Sequence, residues 1–125
     1  PLINENIALT FSVMFSSSLY ADWTEMSKNT SGTAYVDFER TRKHDGYVYY
    51  WYLGDYAKPT ELGHLSSKSY RQGDCKLFRF KGLSFSFHKE PMGGGNGDVE
   101  EPDTEWTYPS PNSSFETVLK KVCNR

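Results

Sequence analysis

Only two cysteines occur in the chain, and they do not form a Cys-x-x-Cys pair. This removes the usual thiol-redox motif and the zinc frameworks built on cysteine clusters. His44, His64 and His88 are dispersed and show no ligand-type spacing either. Basic excess is also lacking: 14 Lys and Arg face 16 Asp and Glu, for a formal net charge of −2. A nucleic-acid binder draws much of its affinity from phosphate neutralisation, so no nucleic-acid partner is expected. The same balance gives no reason to invoke an anionic membrane surface. Long hydrophobic runs are missing too. The apolar stretch at residues 7–15 is well short of the roughly 20 residues that a membrane-spanning helix needs.

Catalytic signatures are equally scarce. Met92-Gly93-Gly94-Gly95-Asn96-Gly97 has the glycines of a phosphate loop but lacks its Lys-Ser/Thr pair. Asp98, Glu100, Glu101 and Asp103 follow, and they would repel phosphate. A tight or flexible connector accounts better for the glycines. The acidic run suits a hard cation in its chemistry, but its spacing departs from the EF-hand loop, and a solvated charged loop is the plainer reading. No carboxylate pair is marked out for glycoside cleavage, and no serine sits in a nucleophile elbow. No catalytic residue, metal site or cofactor is therefore expected, and the chain reads as a non-enzyme.

Aromatic residues are what the chain has in plenty: 8 Phe, 9 Tyr and 3 Trp among 125 residues. Such rings favour half-buried pleated surfaces and let a small domain build its core from few side chains. The length suits one domain, expected at residues 22–125. Before it, residues 7–15 are followed by three serines, Leu19-Tyr20-Ala21 and Asp22. That order is expected of a secretory signal peptide, or its remnant, over residues 1–21 with cleavage after Ala21. Pro1 and Glu5 depart from the pattern, and the competing reading is a first strand or core helix. No cysteine follows the cleavage point to carry a lipid. A soluble periplasmic or secreted product is therefore expected, with surface association left open.

Six segments read as strands. Asp22–Met26 and Thr33–Phe38 flank the turn signal Asn29-Thr30-Ser31-Gly32. Tyr47–Leu53 is aromatic or apolar on both alternating faces, so it belongs in the middle of the sheet. Ser66–Gln72, Cys75–Phe80 and Leu83–His88 follow; the last places Leu83, Phe85 and Phe87 on one face and Ser84, Ser86 and His88 on the other. Residues 90–111 read as a long loop ordered by Trp106 and Tyr108. The final segment is a helix. Ser113-Ser114-Phe115-Glu116 fits a capping box, and Phe115, Val118, Leu119 and Val122 recur at the spacing of one buried face. The order is α+β.

Cys75 begins a strand in this reading, and Cys123 lies on the apolar side of the helix, so a disulfide between them is expected. Two free thiols or a redox pair are the alternatives, the second weakened by the long spacing. Lys68, Arg71, Lys76, Arg79, Lys81 and Lys89 place positive charge along the same strands. Ordinary solvent-face charge is the plain reading, and contact with an anionic polymer or a protein is the functional one.

The series Ala21-Asp22-Trp23, Tyr35-Val36-Asp37, Arg42-Lys43, Trp51-Tyr52-Leu53-Gly54-Asp55-Tyr56, Leu65-Ser66-Ser67-Lys68-Ser69, Asp74-Cys75-Lys76, Met92-Gly93-Gly94-Gly95, Trp106, Pro109-Ser110-Pro111-Asn112-Ser113 and Glu116 to Cys123 resembles the surface-adhesin E family of Gram-negative bacteria. The resemblance implies a single antiparallel sheet, here of about six strands, with a C-terminal helix tethered to it by a disulfide. It further implies an exported binding module that contacts a protein or extracellular-matrix-type ligand and forms a homodimer in some members. A periplasmic structural or assembly protein with no adhesive role is the alternative. The family pattern marks no binding residue in this sequence.

Overall fold

The computed structural model describes residues 21–125, so the expected export signal at residues 1–21 lies, apart from Ala21, outside the described residues. Seven strands run in the order β1 (Trp23–Asn29), β2 (Gly32–Asp37), β3 (Arg42–His44), β4 (Tyr47–Tyr56), β5 (Ser66–Asp74), β6 (Arg79–His88) and β7 (Gly97–Glu100). Short 3₁₀ turns at Phe38–Arg40 and Pro91–Gly93 interrupt them, and helix α1 spans Ser114–Cys123. All pairings are antiparallel and the sheet order is β1-β2-β4-β5-β6-β7, with β3 on the same edge of β4 that β2 occupies further along.

The count rises from six to seven for identifiable reasons. Cys75–Phe80 and Leu83–His88 are not two strands: residues 75–78 form the β5–β6 turn, and one strand runs from Arg79 to His88. A register shift between Tyr70 and Arg71 pairs Tyr70 with Ser84 and Arg71 with Gly82, leaving Leu83 without a partner. Such a bulge masks a continuous strand from a strict alternation test. Two short strands add to the count: β3 is wholly polar, and β7 is mostly polar and falls within residues 90–111, which read as a loop.

α1 lies on one face of the sheet. Val118, Leu119 and Val122 are fully buried against Ala34, Val36, Val48, Tyr50, Tyr52 and Phe80. Gly73 permits this closeness, since a Cβ there would sit 2.9 Å from Leu119 Cδ1 and 2.8 Å from Val48 Cγ1. The Ser113 hydroxyl accepts from Glu116 N–H at 3.1 Å, as a capping box requires, whereas the Glu116 carboxylate accepts from Asn112 N–H rather than from Ser113.

Cys75 and Cys123 are disulfide-bonded, with Cα atoms 5.6 Å apart. Asp74 builds the turn that presents Cys75. Its Oδ1 accepts from the N–H groups of Lys76 and Leu77, and its Oδ2 accepts from Arg79 Nε at 2.9 Å. Burial pushes this carboxyl up, but the bonds from Leu77, Arg79 and Lys76 outweigh it and hold the carboxyl below its ordinary range. A carboxylate with a depressed folded pKa contributes stability that is present above its unfolded value near about 4 and is lost as pH falls through the folded value. Asp74→Asn should therefore lower stability at neutral pH and make the acid limb of the stability curve shallower. Urea unfolding at a series of pH values checks this; identical acid limbs for both proteins would contradict it.

Candidate binding face

The sheet face opposite α1 is covered in two different ways. At one end the Pro91–Gly97 segment closes over it. Ser66 and His88 are buried there: Ser66 Oγ donates to Glu90 O and accepts from Gly93 N–H, while His88 bonds Ser86 Oγ at 2.8 Å and Gly94 O at 3.1 Å. Gly93, at φ 69°, lies so close to Lys68 and Leu53 that an added Cβ would meet the Lys68 side chain at 2.9 Å. The glycine-rich stretch is thus a packed strap. The expectation of a connector rather than a phosphate loop fits this role.

Over the rest of that face, among the described residues, side chains form the surface, joined by Trp106 from the loop after β7. Tyr47, Tyr49 and Trp51 recur along β4 with the strand period and point away from α1. Tyr70 on β5 lies between them: its ring is 5.0 Å from Trp51 and 6.3 Å from Tyr49. Trp106 returns from the loop after β7 and stacks on Tyr47 at 5.9 Å. It is held there because Thr107 exchanges backbone bonds with Phe80, Thr107 N–H to Phe80 O at 2.7 Å and Phe80 N–H to Thr107 O at 2.9 Å. Arg79 Cζ is 4.4 Å and Lys81 Nζ 4.8 Å from the Trp106 ring centroid, both in cation–π range. All five aromatic residues are half-buried.

Toward β1 the same face dips into a cavity of about 320 Å³ bounded by Trp23, Trp51, Lys68 and the Asp37–Arg40 pair. Arg40 Nη1 donates to Asp37 Oδ2 at 2.9 Å, and Asp37 is almost fully buried. The face therefore alternates large flat rings with fixed positive charge.

The basic series divides on inspection of these positions. Lys68, Arg79 and Lys81 belong to the aromatic face, and Lys76 and Lys89 are exposed at its ends. Arg71 does not share it: it points to the helix side and is buried. The three histidines remain far apart in role. His44 pairs with Asp45, His64 Nε2 bonds Asp98 Oδ2 at 2.9 Å, and His88 is tied up under the strap. The bond from His64, against partial burial, lowers the pKa of Asp98. Among the described residues no three His, Cys, Asp or Glu converge as a metal site would require.

Residues 23–124 match the family pattern of surface-adhesin protein E. The chain belongs to the surface-adhesin E family. The fold agrees with solved structures of Haemophilus influenzae protein E. One crystal form aligns at 15% identity and a TM-score of 0.64, covering 84% of this chain and 89% of the other. The selenomethionine form aligns at 16% identity and 0.63, covering 84% and 88%. Protein E from non-typeable Haemophilus influenzae aligns at 14% identity and 0.58, covering 84% and 77%. Among curated proteins none matches the sequence. At these identities the likeness establishes the fold, and the aromatic face must be judged on its own geometry. Among the described residues no helix is long and apolar enough to cross a membrane.

The spacing of Tyr47–Leu53 puts that strand at the sheet centre, and the basic series lies along its neighbours, but no local pattern announces that Trp106, 59 positions after Tyr47, completes the ring array. A lone Trp in a polar loop was the available signal, since such a ring must find apolar cover.

Proposed function

We propose that residues 22–125 form an exported, non-catalytic, adhesin-type binding module that holds a protein ligand of extracellular-matrix type on the aromatic and cationic face. One observation carries this reading: Tyr47, Tyr49, Trp51, Tyr70 and Trp106 form a contiguous, half-exposed ring array flanked by Arg79, Lys81 and Lys68. Protein interfaces draw most of their binding energy from Trp, Tyr and Arg at a partly desolvated centre, and their charged rims set encounter rate and orientation. The rings are pre-stacked by the sheet, so binding would order little that is not ordered already. Membership of a surface-adhesin family supports an exported or surface location and agrees with a binding rather than a catalytic task.

The oxidised protein should retain a matrix protein from a host-matrix extract. The Trp51→Ala/Trp106→Ala double variant should weaken that retention roughly 30-fold, about 2 kcal/mol, with a cooperative thermal transition preserved. Equal retention by the double variant, or no matrix protein retained by the wild type, would reject the proposal. Enrichment of one bacterial-envelope protein and no host protein would replace it with an assembly role.

A further inference from the structure

The helix side of the sheet holds a second cavity, about 330 Å³ in volume, between the β1–β2 turn, the end of β4 and the start of α1. Arg71 lines it. This residue is only 6% exposed, and its guanidinium sits among three rings, 4.0 Å from the Tyr52 centroid, 4.5 Å from Phe115 and 4.7 Å from Phe80. Nε donates to Ser69 Oγ at 2.9 Å, while Nη1 and the Tyr50 hydroxyl are both buried, make no hydrogen bond of good geometry, and act on each other at close range. Among the described residues no carboxylate lies within ion-pair distance of Arg71. Asp103 acts on Arg71 only through space, its Oδ2 accepting from Gly82 N–H at 2.9 Å. Asp55 contributes to the cavity wall, but its carboxylate accepts from Met92 N–H on the opposite face.

A buried guanidinium without a counter-charge is costly, and ring contacts recover only part of that cost. The same cavity receives the first turn of α1 through Ser113, Ser114 and Phe115. Ser113 Oγ caps Glu116 N–H, and Ser113 O accepts from Thr117 N–H. The N–H groups of Ser114 and Phe115 lie in the first turn, have no acceptor within the helix, and meet no acceptor outside it among the described residues. A buried cation with no carboxylate partner and the positive end of a ten-residue helix therefore line one small space.

We propose that this cavity binds the carboxylate of a small organic acid, with Arg71 as its charge partner and the apolar body of the acid against Tyr52 and Phe115. A guanidinium donates strong charge-assisted hydrogen bonds to a carboxylate, and the low polarity of its surroundings strengthens the pair. One fixed positive charge balances one carboxylate and would leave a dianion undercompensated. The volume lies at the small end of ligand pockets, and Phe115, itself 39% exposed, forms an apolar outer wall. This site is on the opposite side of the sheet from the aromatic face and does not depend on it.

Titration of the isotope-labelled, oxidised protein with sodium benzoate, followed by amide NMR, tests the assignment. Saturable shifts are expected at Gly32, Ser114 and Phe115, with a dissociation constant on the order of 1 mM or tighter. Benzamide and inorganic phosphate should each bind at least roughly tenfold more weakly. Arg71→Met replaces the buried charge by an apolar side chain, which usually preserves folding, and should lose benzoate by roughly tenfold or more. Ser114→Pro removes one free N–H at a helix position that accepts proline, and should also weaken benzoate. No saturable shift in the wild type would overturn the proposal, as would phosphate binding as tightly as benzoate. Unchanged affinity in Arg71→Met would do the same, and should that variant fail to fold, unchanged affinity in Ser114→Pro decides against it. A short peptide with a C-terminal phenylalanine binding more tightly than benzoate would assign the carboxylate to a protein chain instead and refute the small-acid source.

Discussion

Replacing both cysteines, Cys75→Ser with Cys123→Ser, is expected to lower stability by about 4 kcal/mol and the melting temperature by roughly 15–30 °C. The bond closes a loop of 48 residues, so its removal returns a large set of conformations to the unfolded chain. The folded state loses something as well. The β5–β6 turn and the last turn of α1 are joined only there by a covalent link. Without it, the helix is retained by Val118, Leu119 and Val122 on the sheet and by the Ser27–Ser114 hydroxyl contact at its start. A domain of this size has roughly 5–15 kcal/mol of net stability to begin with, so the double variant should be close to unfolding at growth temperature. Chemical denaturation of the oxidised protein and of the variant, each in the same buffer, measures the difference. A change below about 1 kcal/mol would show that the helix is held by packing alone, contrary to the entropic argument.

The second large effect is expected at the contact between Leu119 and Gly73. Leu119→Ala removes a fully buried side chain and should cost roughly 2–5 kcal/mol, depending on how far the helix can settle toward the sheet. Gly73→Ala should also destabilise, by about 1–3 kcal/mol, because the new methyl has no room beside Leu119 Cδ1 and Val48 Cγ1. The two losses should not add. Once Leu119 is shortened, the methyl at position 73 enters the vacated space, so the double variant should be less damaged than the sum by at least about 0.5–1 kcal/mol. Strict additivity in the double-mutant cycle would mean that the helix shifts and fills the void itself.

How much of this was legible in the sequence depends on whether the signal was local. The helix carries its own start signal, its own apolar stripe and its own cysteine, so residues 113–123 can be read without knowing the rest of the fold. β4 is likewise self-declaring, because an unbroken aromatic run has no other comfortable place than a sheet centre. By contrast, β7 has the sequence Gly97-Asp98-Val99-Glu100, in which Val99 alone favours a strand. It is a strand because the Pro91–Gly97 strap delivers it to the free edge of β6. The bulge at Tyr70/Arg71 hid the unity of β6 for a related reason: the extra residue, Leu83, resets the alternation midway through the strand.

The candidate sites divide along the same line. Rings on β4 could be assigned to a surface from their spacing alone, but Trp106 arrives through a distant backbone exchange at Phe80 that no local pattern announces. Arg71 is the clearest case of context overriding residue type. In the sequence it is one of six scattered cations and most simply a solvated one. In the fold its position opposite Tyr50 and Gly82 commits it to the buried side. Neighbouring Lys68 has the same charge but stands an odd number of residues away, and so lies on the other face.

The three tryptophans of the chain, Trp23, Trp51 and Trp106, lie on the face turned away from α1, and the helix side has none. The molecule therefore carries an optical reporter on one side only. Intrinsic tryptophan emission responds directly to a ligand that settles on the ring array and only remotely to an acid beside Arg71. Tyrosine and amide signals are needed to follow the second site, so occupancy of the two faces can be resolved in one sample without attaching a label.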